Sequence, residues 1–257
     1  MWISVAQKPN FGLSIITWSF KHLVIACNIL TPVFAKRWPL AWYALAPLFL
    51  LLSDAYADYT KVDCLGSEKA ANGFVYLHGW DDPSLGYHEK VNRKILARIA
   101  AKTDSKIALA RGHGRCSKGQ KQCWQMTTPF LVEKEWAEIK KAALMCGLKK
   151  DWGIVGFSSG GYMVSSLFNL CLKPPALWLI SFGAAENRRF KVSQAKCSQL
   201  TLIIGDKDGV REKTLSYYKK LKKLGTQVTY KEFKGGHVIH EKSLLEALEK
   251  LQEKKGF

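Results

Sequence analysis

The sequence predicts an α/β fold: a mostly parallel sheet of about six strands, with helices on both faces. Three observations predict it. From residue 58 onward, short apolar runs alternate with stretches of helical periodicity. The runs are largely continuous in apolar character, as strands buried on both faces are. A Gly-x-Ser-x-Gly segment, Gly156-Phe157-Ser158-Ser159-Gly160, joins one such run to one such helical stretch. Composition permits the fold, because 47% of the 257 residues are hydrophobic, enough to fill a core, and 23% are charged.

The elements follow in order. Residues 73–78 read as a buried strand through Phe74, Val75, Tyr76 and Leu77. Residues 91–102 carry helical spacing at Ile95, Leu96, Ile99 and Ala100. A second strand is predicted over 106–111. A long helix follows over 132–146, with Trp136, Ile139, Ala143 and Leu144 on one side. The third strand is 152–157, followed by a helix over 161–172. The fourth and fifth strands are 176–182 and 200–205. A helix over 211–224, a sixth strand over 226–233 and a closing helix over 241–254 complete the chain. Strands separated by helices pair in parallel, and each crossover should be right-handed. Only 183–198 separates the fourth strand from the fifth, too short a segment for a cap domain.

The N-terminus reads differently. Lys36 and Arg37 precede an apolar stretch over 40–52, and Ala55-Tyr56-Ala57 follows. A positive end, a short apolar core and small residues at a cut site make a secretory signal, with cleavage after Ala57. The core is shorter than the ~20 residues a membrane span needs. The expected organisation is an extension and signal over 1–57 and a folded domain over 58–257, exported to a periplasm or to the medium. Residues 11–34 are also apolar but are interrupted by Lys21 and His22. They leave two further readings open: a membrane segment that tethers the domain, or residues upstream of the true start.

Cysteine usage agrees with export. Of seven cysteines, Cys27 lies within 1–57, leaving Cys64, Cys116, Cys123, Cys146, Cys171 and Cys197. An even number in an exported chain predicts disulfides of unspecified connectivity. Cys116 and Cys123 bracket a polar loop and read as a local staple. Six reduced thiols in a cytosolic protein is the alternative.

Thirty-nine basic residues against 21 acidic ones give a net charge of +18. Such a surface attracts anionic polymers and lipids in a salt-sensitive way. The basic residues are scattered in pairs, such as Lys140 and Lys141 or Lys219 and Lys220, and no nucleic-acid-binding motif accompanies them. No specific nucleic-acid partner is expected.

The chemistry-bearing residues fall at strand ends. Ser158 lies on a tight turn between strand and helix, where small residues on either side allow close approach. The helix N-terminus then aims amide dipoles at a developing oxyanion. His78-Gly79-Trp80 ends the first strand, so the N–H groups of Trp80 and Ser159 are candidate oxyanion donors. Gly205-Asp206-Lys207-Asp208 ends the fifth strand and supplies a carboxylate, Asp208, with Asp206 as the alternate. Either could instead cap the following helix. Gly235-Gly236-His237 follows the last strand and supplies a base, His237, with His240 as the alternate. Trp80, Tyr87 and Tyr162 are candidate walls of an apolar substrate pocket, or else core residues. His237 and His240 lack the accompanying ligands a metal pair needs, and no motif implies an organic cofactor.

The order Ser158, Asp208, His237, preceded by His78-Gly79, resembles the α/β-hydrolase superfamily over about residues 70–250. The compact form is similar to its small serine esterases: dienelactone hydrolases, carboxylesterases and polyhydroxybutyrate depolymerases. The resemblance implies a six-stranded minimal version of that sheet, lacking the family's first two strands. It also implies an ester hydrolase that works through an acyl-enzyme on a small-molecule or polymer ester. An amidase or peptidase uses the same parts, and a catalytically silent protein that binds an anionic envelope polymer is the alternative outside enzymology. Oligomeric state stays open.

Overall fold

A computed structural model describes residues 62–70, 72–80, 87–114, 123–148, 152–172, 178–192 and 199–253. The expected signal and its cut site, the apolar stretch over 11–34, Cys116 and Cys197 lie outside the described residues. Residues Val62–Phe257 form one compact unit.

The strands are β1 (Asp63–Leu65), β2 (Asn72–Leu77), β3 (Ser105–Ala110), β4 (Gly153–Phe157), β5 (Trp178–Phe182), β6 (Gln199–Gly205) and β7 (Val228–Phe233). The helices are α1 (Tyr87–Lys102), α2 (Pro129–Met145), α3 (Ser159–Asn169), α4 (Arg211–Lys223) and α5 (Glu241–Glu253). The strands form one sheet in the order β1-β3-β2-β4-β5-β6-β7. All neighbours are parallel except β1, which runs antiparallel to β3 with Cys64 opposite Ala108.

The sheet therefore has seven strands among the described residues, not six. The added strand, β1, is a three-residue edge piece with an exposed middle residue. Its short polar sequence carries no periodic signal. It is held by other means: Cys64 is disulfide-bonded to Cys146 at the end of α2, and Asp63 pairs with Arg93 of α1. Cys123 and Cys171 are each in a disulfide as well.

Strand pleating sorts the core into two layers. Val75, Leu77, Ile154, Leu179 and Leu202 face α2, α3 and α4, where they meet Trp136, Met163 and Leu221. Their neighbours Phe74, Tyr76, Val155, Ile180 and Ile203 face α1 and α5, where they meet Leu96, Ile99 and Leu248. Handedness explains which helix lies where. The chain moves outward from β2 to β3 and then back past β2 to β4. Right-handed crossovers in opposite directions must place α1 and α2 on opposite faces.

Helix α2 begins earlier than its apolar spacing suggests. Thr128 caps it, accepting a hydrogen bond from the Leu131 N–H at 3.3 Å, and Pro129 occupies the first position. Trp136, Ile139 and Ala143 pack inward as expected, while Leu144, expected with them, is exposed and Ala142 is buried in its place. Among the described residues no helix is long and apolar enough to cross a membrane.

Candidate active site

The reversal of strand order between β2 and β4 opens a crevice at the carboxyl ends of the strands. Open α/β sheets bind ligands at such a point. Ser158 lies there, between β4 and α3, at φ 53° and ψ −114°. A β-carbon makes a positive φ costly, by about 1–3 kcal/mol, so the surroundings must enforce it. They do so by close packing. The Ser158 N–H donates to the Phe182 carbonyl at 2.8 Å. A β-carbon on Gly156 would sit 2.3 Å from the Gly160 carbonyl oxygen, and one on Gly160 would sit 2.1 Å from the Leu77 oxygen. The two glycines of the motif are therefore spacers that let α3 start against β2 and β4. The first N–H groups of α3, Ser159 among them, lack intrahelical acceptors and face the crevice end of the sheet.

The loop after β2 packs on this turn. A β-carbon on Gly79 would lie 3.2 Å from the Ser158 Cβ. His78 anchors the loop from below. It is buried, with Nδ1 2.6 Å from the Gly79 carbonyl oxygen and Nε2 accepting from the Gly112 N–H at 3.2 Å. Burial lowers its pKa to about 4. The Trp124 indole N–H donates to the His78 carbonyl at 2.9 Å. Trp80 follows and is 59% exposed, so it is not a core residue.

The loops after β6 and β7 bring the carboxylate and imidazole together. His237 Nδ1 lies 2.7 Å from Asp208 Oδ2. The Asp208 side chain is 3% exposed and that of His237 is 40% exposed. The other carboxylate oxygen of Asp208 accepts from the Val210 N–H at 3.0 Å. Asp206 instead accepts the Gly235 N–H at 2.8 Å, while the Lys207 N–H donates to the Gly235 carbonyl at 2.9 Å. Asp206 thus ties the His237 loop to the end of β6 and is not the partner of the imidazole. His240 lies elsewhere, bonded to Ser243 Oγ at 2.9 Å and stacked on Phe233.

Two cavities meet at Trp80. A small one of about 70 Å³ is lined by Ser158, His237, Gly79, Phe157, Glu89 and Asn92 along with Trp80. A larger cleft of about 560 Å³ runs past Ser159 and Tyr162 to Trp124, Met126, Asn187 and Arg189. Tyr162 is on α3, half-buried, and burial raises its pKa. Tyr87 opens α1, but its side chain lies outside the described residues.

Several residues around the site escape sequence reasoning. Glu89 and Asn92 reach the small cavity from the first turns of α1, and nothing in their spacing announces it. Gly183, at φ +60°, lies beneath the imidazole: a β-carbon there would be 2.8 Å from His237 Cε1 and 3.3 Å from Asp208 Oδ2. A glycine just past the end of β5 is its sole signal. Among the described residues no group of three or more potential ligands could hold a metal ion.

No family model and no curated protein matches the chain. Solved structures do. A carboxylesterase from Mesorhizobium loti is 20% identical with a TM-score of 0.51, over 70% of this chain and 89% of that one. The Bacillus cereus carboxylesterase is 13% identical with a TM-score of 0.57, over 79% of this chain and 98% of that one. Arabidopsis thaliana SOBER1 is 17% identical with a TM-score of 0.54, over 72% of this chain and 99% of that one. Identities this low speak to the fold. A mostly parallel sheet that reverses order at β2 and β4, matched across nearly the whole of such proteins, gives this chain the α/β-hydrolase fold.

Proposed function

We propose that the protein is a serine hydrolase of carboxylic esters. The observation that carries the reading is the pairing of a strained Ser158 with an Asp208-bonded His237 on one cavity. Ser158 Oγ attacks the ester carbonyl while His237 Nε2 takes its proton. Asp208 holds the Nδ1–H tautomer and stabilises the imidazolium that forms. The N–H groups of Trp80 and Ser159 bind the oxyanion, each donor contributing about 3 kcal/mol to the transition state. The alkoxy oxygen leaves with the proton from His237, and an acyl-Ser158 remains. Water, deprotonated by His237, then attacks the acyl carbon; the bond to Ser158 Oγ breaks, Oγ takes the proton back from His237, and the carboxylic acid leaves. The solved structures named carboxylesterase support this choice of substrate class.

Export completes the proposal. The signal-like segment before residue 58 and the disulfide between Cys64 and Cys146 both fit an oxidising compartment.

Full-length protein and a Ser158→Ala variant test the reading. Each is assayed against a panel of aliphatic esters by pH-stat titration and for covalent labelling by phenylmethanesulfonyl fluoride. Ester turnover and a label on Ser158, both lost in the variant, are expected, with turnover falling by at least about 10³-fold. Turnover that survives in Ser158→Ala refutes the assignment.

A further inference from the structure

The two cavities differ in which reacting groups they touch. Ser158 and His237 line the small one, and Ser159, whose N–H is an oxyanion donor, lines the large one with Tyr162. Trp80 stands between and borders both. That asymmetry gives the site a direction, resting on the serine-ester reading above. When the tetrahedral intermediate collapses, the bond from the carbonyl carbon to the alkoxy oxygen breaks. The proton that left Ser158 passes from His237 Nε2 to that oxygen. The alkoxy group must therefore lie on the His237 side. With the oxyanion held by amides at the start of α3, the acyl chain extends away from His237, into the larger cleft.

We propose that the leaving alcohol is the small part of the substrate and that the acyl half is the bulky part. The volumes set the relative sizes. The small cavity, about 70 Å³, has about an eighth of the cleft's volume and also takes the ester carbonyl at Ser158, so the group on the His237 side is the smaller one. The cleft, about 560 Å³, lies in the range that accommodates a larger ligand.

The floor of the small cavity points the same way. Glu89 there is 3% exposed. Its carboxylate is 3.5 Å from Arg93 and 3.7 Å from Arg111, and accepts from the Tyr76 hydroxyl at 3.4 Å. Asn92 donates to the same hydroxyl at 3.0 Å. A long alkyl chain laid on this floor would meet carboxylate and amide groups in place of the apolar side chains that its burial needs. A short alcohol keeps its hydroxyl there, and the same space admits the water that completes the reaction.

Two isomeric esters test the direction: methyl pentanoate and butyl acetate, assayed by pH-stat with full-length protein. The expected result is a kcat/KM at least about tenfold higher for methyl pentanoate. Trp80→Ala, which removes the exposed wall between the cavities, should narrow that ratio by raising turnover of butyl acetate. Equal rates, a preference for butyl acetate, or a ratio unchanged in Trp80→Ala would overturn the proposal. Labelling of Ser158 by phenylmethanesulfonyl fluoride separates the two levels. A labelled Ser158 with the reverse preference leaves the hydrolase standing and removes only the direction. An unlabelled Ser158 with neither ester turned over removes both.

Discussion

His78 can occupy its site in one protonation state only. Nδ1 must donate to the Gly79 carbonyl and Nε2 must accept from the Gly112 N–H, which requires a neutral ring protonated at Nδ1. Its pKa of about 4 in the fold, against 6.5 when exposed, means that the unfolded chain binds a proton first as pH falls. Stability should therefore drop between pH 6.5 and 4, with His78 accounting for about 3 kcal/mol of the loss. Denaturant unfolding of the wild type and of His78→Gln across that window checks this. The wild type should show the steeper fall, and parallel curves would refute it. His113 works in the opposite sense. Its hydrogen bond to Glu135 raises its pKa, so the stability it adds is complete below 6.5 and is lost as pH rises through the folded value. Gly183 carries a second prediction at this scale. Gly183→Ala would push a methyl group into His237 and force a positive φ on alanine. A displacement of about 1 Å costs on the order of 10²-fold in rate. Ester turnover by Gly183→Ala should fall by that order while the protein stays folded by circular dichroism; wild-type turnover would show that His237 is not held there. These residues also mark what a sequence can disclose. The candidates Ser158, Asp208 and His237, which the structure brings to one end of the sheet, are flagged in the sequence by glycines and strand ends. Gly183 and Glu89 are not, because what constrains them is a side chain distant in sequence.

At the scale of elements, the apolar runs of β2 to β6 disclose themselves because both faces are buried and all but the leading positions are apolar or small. β7 lies at the sheet's edge and alternates, and its period of two was equally readable. Helix ends are read less well: α2 begins with residues that face solvent and carry no periodic signal, and the first turns of α1 bury Glu89 and Asn92, polar residues that an apolar period does not register. β1 is the element the sequence hides. Three residues bury too little surface to hold themselves against β3, so a covalent tie substitutes for area. The Cys64–Cys146 bond spans a sequence separation of 82, and closing a loop that long removes much entropy from the unfolded chain. Replacing both cysteines with alanine should lower unfolding free energy by about 2–4 kcal/mol. Urea titration measures it. The α3 and β4 packing around Ser158 does not depend on this bond, so esterase activity at room temperature should persist in the folded fraction. An unchanged urea midpoint would show that β1 is not held by the disulfide.

For the whole molecule, the charge excess requires an account. Acidic residues among those described are largely engaged: Glu241 with Arg98 and Lys102, Glu232 with Arg211, Glu186 with Lys220, and Glu246 with Lys231. With 39 bases against 21 acids, pairing of this kind leaves a positive surplus. At the large cleft the local balance has the same sign among the described residues, since Arg189 is among those that line it and no carboxylate is. A field of that sign should concentrate anionic esters and leave neutral ones unaffected. Raising ionic strength from about 10 mM to about 500 mM shortens the screening length from about 30 Å to under 10 Å. Over that range kcat/KM for monomethyl succinate should fall several-fold, mostly through KM, while that for methyl pentanoate stays level. Arg189→Gln should weaken the salt dependence for the anionic ester without changing turnover of the neutral one. If both esters respond alike to salt, the surplus charge does not act at the site. Its consequence would then lie in attraction of the whole protein to anionic surfaces, measured by salt-sensitive retention on vesicles containing phosphatidylglycerol.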